Sequence, residues 1–149
     1  MSLSNLYGLL PRRTHSAEET HALGHSLAQH LPEGTVLALL GDLGAGKTQL
    51  VKGLVAGLGG DPMEVTSPTF SIAQEYEVDE GFLLHVDAYR TRNEREFVEM
   101  GLTEYMERAW ITAVEWPDQL GAALPPDALV LKIDHAGKSE RIISLKGKP

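Results

Sequence analysis

The stretch that decides the fold is Gly41-Asp42-Leu43-Gly44-Ala45-Gly46-Lys47-Thr48, which fits the pattern G-x-x-x-x-G-K-[ST] at every position. Its glycines permit backbone conformations that turn successive N–H groups toward a phosphate. A lysine here binds the β- and γ-phosphates, and the hydroxyl after it ligates Mg²⁺. The stretch therefore predicts a nucleotide-binding loop over 42–48, with Lys47 as a catalytic residue and Thr48 as a metal ligand.

The flanking sequence has the elements that such a loop requires. Residues 35–40 form a continuous apolar run of strand length, which is typical of a strand buried on both faces. After the loop, apolar residues recur at helical spacing from Leu50 to Leu58, and Gly59-Gly60 ends the pattern. Short glycine motifs also occur by chance, and it is this strand–loop–helix order that favours nucleotide binding.

Strands and helices alternate along the rest of the chain. Ser16 and Glu19 form a capping box before a helix that Pro32 is expected to end, and Asn93 can cap a later one. Further strands are predicted at 70–76, 82–87, 110–115, 128–134 and 140–145. The last two are closely spaced and are expected to pair as an antiparallel hairpin. We expect an α/β fold of the P-loop NTPase sandwich type: a mixed, mostly parallel sheet with flanking helices and an antiparallel C-terminal edge, in one domain over residues 1–149.

Composition and charge narrow the class of protein. The 149 residues are 42% hydrophobic and include no cysteine, which excludes a disulfide framework and a cysteine nucleophile. Neither a membrane-length apolar run nor a convincing signal peptide is present, so we expect a cytoplasmic protein with no membrane partner. The net charge is −8, with ten carboxylates against three arginines in residues 75–107. This acidic segment is either a solvated helical face or a surface for a basic partner.

Two acidic residues follow predicted strands and are candidates for ordering Mg²⁺ or its water. Asp87 follows the strand at 82–86, and Glu115 follows the one at 111–114. Either residue alone could instead be an ordinary cap or turn residue. Ser67 and Thr69 lie in a hydroxyl-rich loop that could sense a γ-phosphate as a switch loop or could be a simple turn.

The sequence indicates the phosphate-binding site more clearly than it indicates which nucleotide base is bound or which reaction is catalysed. Leu131-Lys132-Ile133-Asp134 lacks the first residue of a guanine-recognition motif, so ATP is favoured over GTP. A small-molecule kinase remains open because Arg90, Arg92 and Arg95 could form a lid, although surface ion pairs with neighbouring glutamates would also explain them. A nucleotide sensor that does not hydrolyse ATP is a further alternative.

Four motifs together resemble the TsaE (YjeE) family, the bacterial ATPase component of tRNA N6-threonylcarbamoyladenosine synthesis. They are GDLGAGKT at 41–48, SPTF at 67–70, HVDAYR at 85–90 and VEWPDQL at 114–120, in this order and spacing. The resemblance extends from about Thr14 to Arg141.

This resemblance implies a P-loop ATPase that binds ATP and Mg²⁺. Thr48 and Glu115 would ligate the metal, Asp87 would lie near the γ-phosphate and its water, and Trp116 would lie beside the site. Nucleotide contacts are also implied for Ser16 and Gly137. The nucleotide-binding residues are thus expected to be Asp42, Leu43, Gly44, Ala45, Gly46, Lys47, Thr48, Ser16 and Gly137.

The resemblance also implies partners. The family acts with the threonylcarbamoyl-transferase subunit and its dimerising paralogue, and it reaches tRNA indirectly through that complex. Hydrolysis is expected to be slow in the isolated protein and faster with the partners.

Overall fold

The computed structural model describes residues 3–41, 46–66, 72–90 and 93–146, which form a central sheet with helices on both faces. The helices are α1 (Leu3–Leu9), α2 (Ala17–Ala28), α3 (Lys47–Gly57), α4 (Glu94–Glu99) and α5 (Leu102–Arg108). The strands are β1 (Arg12–Thr14), β2 (Thr35–Leu40), β3 (Ala73–Val78), β4 (Gly81–Asp87), β5 (Ile111–Glu115), β6 (Leu129–His135) and β7 (Arg141–Leu145). Short 3₁₀ helices cover Pro62–Glu64, Ala88–Arg90 and Pro117–Ala123.

The seven strands lie in the order β1-β7-β6-β2-β5-β4-β3. The four central strands, β6, β2, β5 and β4, are parallel to one another. Strand β7 pairs antiparallel with β6, as the hairpin prediction required. The expected α/β sandwich with a parallel centre is confirmed.

The sheet is antiparallel on its other side as well, which the sequence pattern did not predict. Strands β3 and β4 are joined through Asp79 and Glu80, a connection far too short for a parallel crossover. The C-terminal hairpin is also not the outer edge, because β1 pairs with β7 and lies outside it. Helix α2 ends at Ala28, before the expected stop at Pro32, while Leu31 is still buried.

Two apolar layers hold the helices against the sheet. One face packs under α2 and α3 through residues that include Leu27, Leu50 and Leu54. The other face packs under α4 and α5 through Phe97 and Met106. Within the described ranges, no helix combines the length and the apolar character needed to cross a membrane.

Candidate active site

The carboxyl ends of three parallel strands meet at the start of α3. In the strand register Glu115 of β5 lies opposite Leu39 of β2 on one side and opposite Asp87 of β4 on the other. Helix α3 begins at Lys47 after Gly46, whose φ of 105° is in the left-handed region that favours glycine. The fold therefore gathers a lysine and two carboxylates from three distant parts of the chain.

Lys47 is only 7% exposed and contacts three of the described residues at the site. Its Nζ donates a hydrogen bond to the Gly41 carbonyl oxygen at 2.9 Å. The same atom lies 3.6 Å from Glu115 Oε1 and 4.6 Å from the centre of the Trp116 ring. These contacts hold the ammonium group at the carboxyl end of β2, where the nucleotide-binding motif places it.

Glu115 is buried and is held from a second side by His85. His85 Nε2 and Glu115 Oε2 are 2.7 Å apart, and His85 has no exposed surface. Burial opposes ionisation, but the hydrogen bond and the charge interaction with His85, together with Lys47, lower the pKa of Glu115 below its usual value. The carboxylate is therefore charged at neutral pH. Sequence reasoning quoted His85 in a motif but assigned it no role.

Asp87 occupies a different environment from Glu115. It is half-buried at the end of β4, and its Oδ1 accepts a hydrogen bond from the Tyr89 N–H at 3.2 Å. The 3₁₀ helix Ala88–Arg90 begins directly after it. The two candidate acids thus lie on neighbouring strands, one enclosed and one closer to solvent.

Trp116 forms an aromatic wall over Lys47. Its backbone is left-handed, with a φ of 58°, which is rare for a bulky residue and characteristic of strained positions at functional sites. The ring is 36% exposed, and its centroid lies 5.3 Å from that of Tyr89. A cavity of about 420 Å³ is lined by Lys47, Trp116 and the end of β6.

Gly46, at the start of α3, faces α2 and β7. A Cβ built on Gly46 would lie 3.8 Å from Thr20 and 3.9 Å from Arg141. Ser16 is one turn before Thr20, and its hydroxyl accepts a hydrogen bond from the Glu19 N–H as the α2 cap. Arg141 is the first residue of β7, opposite Thr14 of β1 and His135 of β6, and the sequence did not identify it as a neighbour of Gly46.

Of the remaining predicted site residues, the structure describes two, and the others lie outside the described ranges. Gly137 lies in the exposed turn between β6 and β7, and Thr48 is half-buried in the first turn of α3. Asp42, Leu43, Gly44, Ala45, Ser67 and Thr69 lie outside the described residues.

The site fits a magnesium ion that is bound together with a nucleotide. Within the described part of the chain, no cluster of three or more His, Asp or Glu side chains could hold a metal by itself. Mg²⁺ in nucleotide sites uses only one or two protein oxygens, with phosphates and water as its other ligands. The Glu115 carboxylate lies beside Lys47 in space, and the Thr48 hydroxyl belongs to the residue that follows Lys47 in the sequence. Both supply oxygen atoms that can ligate Mg²⁺.

Comparisons with known proteins identify a family. The family model described as "Threonylcarbamoyl adenosine biosynthesis protein TsaE" matches residues 14–143. A Bacillus subtilis (strain 168) protein, named "tRNA threonylcarbamoyladenosine biosynthesis protein TsaE", is 42% identical over 132 residues, which cover 89% of this chain and 82% of that protein. A Synechocystis protein of the same name is 46% identical over 110 residues, 68% of this chain and 66% of its own length.

A solved structure shows the same fold. The crystal structure of YdiB from Bacillus subtilis is similar with a TM-score of 0.70 and 37% sequence identity. The match covers 91% of this chain and 83% of that one. The resemblance expected from the four motifs is confirmed: the chain belongs to the TsaE family.

Proposed function

We propose that this chain is the ATP-binding and ATP-hydrolysing component of tRNA threonylcarbamoyladenosine synthesis, acting as one ATPase domain over residues 1–149. The role in tRNA modification follows from the names of its relatives. One observation supports the reaction most directly: the buried Lys47 ammonium group lies beside the buried Glu115 carboxylate at the end of a parallel strand.

The described residues suggest how hydrolysis would proceed. Lys47 would turn from Gly41 and Glu115 to the β- and γ-phosphates of ATP, where it offsets the negative charge that develops during transfer. Thr48 and Glu115 would hold Mg²⁺, which, when bound, neutralises charge on the same phosphates. Asp87 would orient the attacking water from the next strand, and Trp116 would shield Lys47 from solvent.

The proposed partners are the threonylcarbamoyl-transferase subunit and its dimerising paralogue, through which the chain would act on tRNA in the cytoplasm. The sequence offers no identifiable arginine finger, because Arg90, Arg92 and Arg95 stand among glutamates that can neutralise them. An arginine finger increases hydrolysis by about 10³–10⁵-fold in other P-loop enzymes. The isolated chain would therefore hydrolyse ATP slowly until its partners complete or order the site.

The decisive experiment measures ATP turnover by the purified chain alone, with the transferase complex, and with the complex and tRNA. We expect slow turnover alone and stimulation by the complex. Fast turnover by the isolated chain, or a rate that the bound complex does not change, would contradict the proposal. Transfer of the γ-phosphate to a metabolite would indicate a kinase, and binding without turnover in every mixture would indicate a sensor.

A further inference from the structure

His85 is a polar residue buried between apolar residues of the central sheet. It lies on β4 two residues before Asp87, and it faces the side of the sheet that α3 covers. Its ring is completely buried, and its Nδ1 atom has no hydrogen-bond partner among the described residues. Burial of a polar atom without a partner costs free energy, so the ring needs a compensating interaction.

That interaction is the hydrogen bond to Glu115. A carboxylate can only accept, so Nε2 carries the proton and donates to Oε2 at 2.7 Å. The other oxygen, Oε1, forms an ion pair with Lys47 at 3.6 Å, a separation too long for a direct hydrogen bond. His85 thus takes one oxygen of the carboxylate and leaves the other directed toward the start of α3.

We propose that His85 is a positioning residue, which holds Oε2 of the Glu115 carboxylate so that Oε1 is presented to the Mg²⁺ of the nucleotide complex. The inference rests on the proposed function. Without the donor at Nε2, Oε2 would be released, and the Lys47 ammonium group, already 3.6 Å from Oε1, would attract both carboxylate oxygens. Residues that orient a metal ligand in this way typically affect metal affinity by about 10–100-fold when they are replaced.

The test compares His85→Leu, which removes the donor, with His85→Gln, whose amide nitrogen can replace Nε2. Binding of a fluorescent ATP analogue is titrated with Mg²⁺ for both variants, and folding is checked by circular dichroism. We expect the Mg²⁺ midpoint of His85→Leu to rise by about 10–100-fold. Binding of the analogue without Mg²⁺ should be unchanged, and His85→Gln should remain close to the parent.

Two further variants make the outcome unambiguous. Tyr76→Phe alters a buried neighbour of His85, at 6.3 Å between ring centroids, and should leave the Mg²⁺ midpoint unchanged. His85→Asn places its amide near the Nδ1 position, so it should behave like His85→Leu. If His85→Leu does not fold, the Gln and Asn variants decide the question.

The inference would be overturned by a parent-like midpoint in folded His85→Leu, by equal midpoints in the Gln and Asn variants, or by an equal loss of binding with and without Mg²⁺. A different result would contradict the proposed function itself: no dependence on Mg²⁺ in the parent, or a parent-like midpoint in Glu115→Ala.

Discussion

Lys47 is the residue on which the candidate site depends most strongly. Its ammonium group is buried beside one carbonyl, one carboxylate and one aromatic ring, all at the carboxyl ends of β2 and β5. We expect Lys47→Ala to fold but to lose ATP hydrolysis by at least about 10²-fold, because the developing phosphate charge loses its fixed counterion. Steady-state ATPase assays check this, with Lys52→Ala on the same helix as the control. A parent rate in Lys47→Ala would contradict the P-loop interpretation.

Substitution of Glu115 and substitution of Asp87 are expected to have different effects on nucleotide binding and hydrolysis. Glu115 is enclosed and held by His85, which suits a metal ligand, whereas Asp87 is closer to solvent, which suits a residue that orients water. We expect Glu115→Ala to raise the Mg²⁺ concentration needed for nucleotide binding, and Asp87→Ala to bind ATP and Mg²⁺ almost normally without hydrolysing it. Mg²⁺ titration followed by single-turnover assays measures both. Exchanged phenotypes would mean that the two roles are assigned the wrong way round.

The sequence predicted some of these residues and missed others for a physical reason. Lys47 belongs to a contiguous motif, and Asp87 and Glu115 each follow an apolar run, so local pattern was sufficient to single them out. His85 lies inside such a run, and its partner is 30 residues away, so its role depends on the β4–β5 register. Arg141 likewise reaches Gly46 through the tertiary pairing of β7 with β6 and β1.

At the level of elements, the α2–α3 contact determines where the nucleotide-binding helix lies. A Cβ on Gly53 would be 2.0 Å from the His21 carbonyl oxygen, and one on Gly24 would be 2.5 Å from that of Leu50. Both obstructing atoms belong to the backbone, so no side chain can move away to relieve the clash. The two helices pack closely because glycines lie at their contact.

We therefore expect Gly53→Ala to lower the free energy of unfolding by about 3 kcal/mol, since α3 must move away from α2. Urea denaturation measures the change. Gly8→Ala in α1 is the matched control, because a Cβ there meets nothing within 4 Å and alanine favours a helix by about 0.5–1 kcal/mol. Equal stability of the two variants would show that the α2–α3 contact is more adaptable than its geometry indicates.

The long elements were predictable and the short ones were not. Strand β2 and helix α3 have six and eleven residues with clear periodicity, and they lie where the apolar pattern placed them. Strand β1 has three residues, of which two are exposed, so it has almost no pattern of its own. It becomes a strand because β7 offers a free edge, and that pairing is a tertiary effect.

Over the whole molecule, the acidic segment does not form one helical face. Its exposed carboxylates lie along the outermost strand β3, in the turn after it, and on α4 and α5: Glu75, Glu77, Asp79, Glu80, Glu99, Glu104 and Glu107. Charges on an edge strand oppose pairing with another chain.

This charge distribution predicts weak binding of tRNA by the isolated chain. Affinity for nucleic acid comes largely from counterions released when several cations neutralise phosphates, and the net charge here is −8. The basic C-terminal segment, residues 132–149, supplies five cations against two anions, and one cation, Lys132, lies 3.8 Å from Asp134. We expect a dissociation constant no tighter than the non-specific range of about 10⁻⁴–10⁻⁶ M at physiological salt.

Fluorescence anisotropy with labelled tRNA measures this dissociation constant. The same titration with the transferase complex present should show binding through the partners. Tight binding by the chain alone would mean that it carries a tRNA surface of its own.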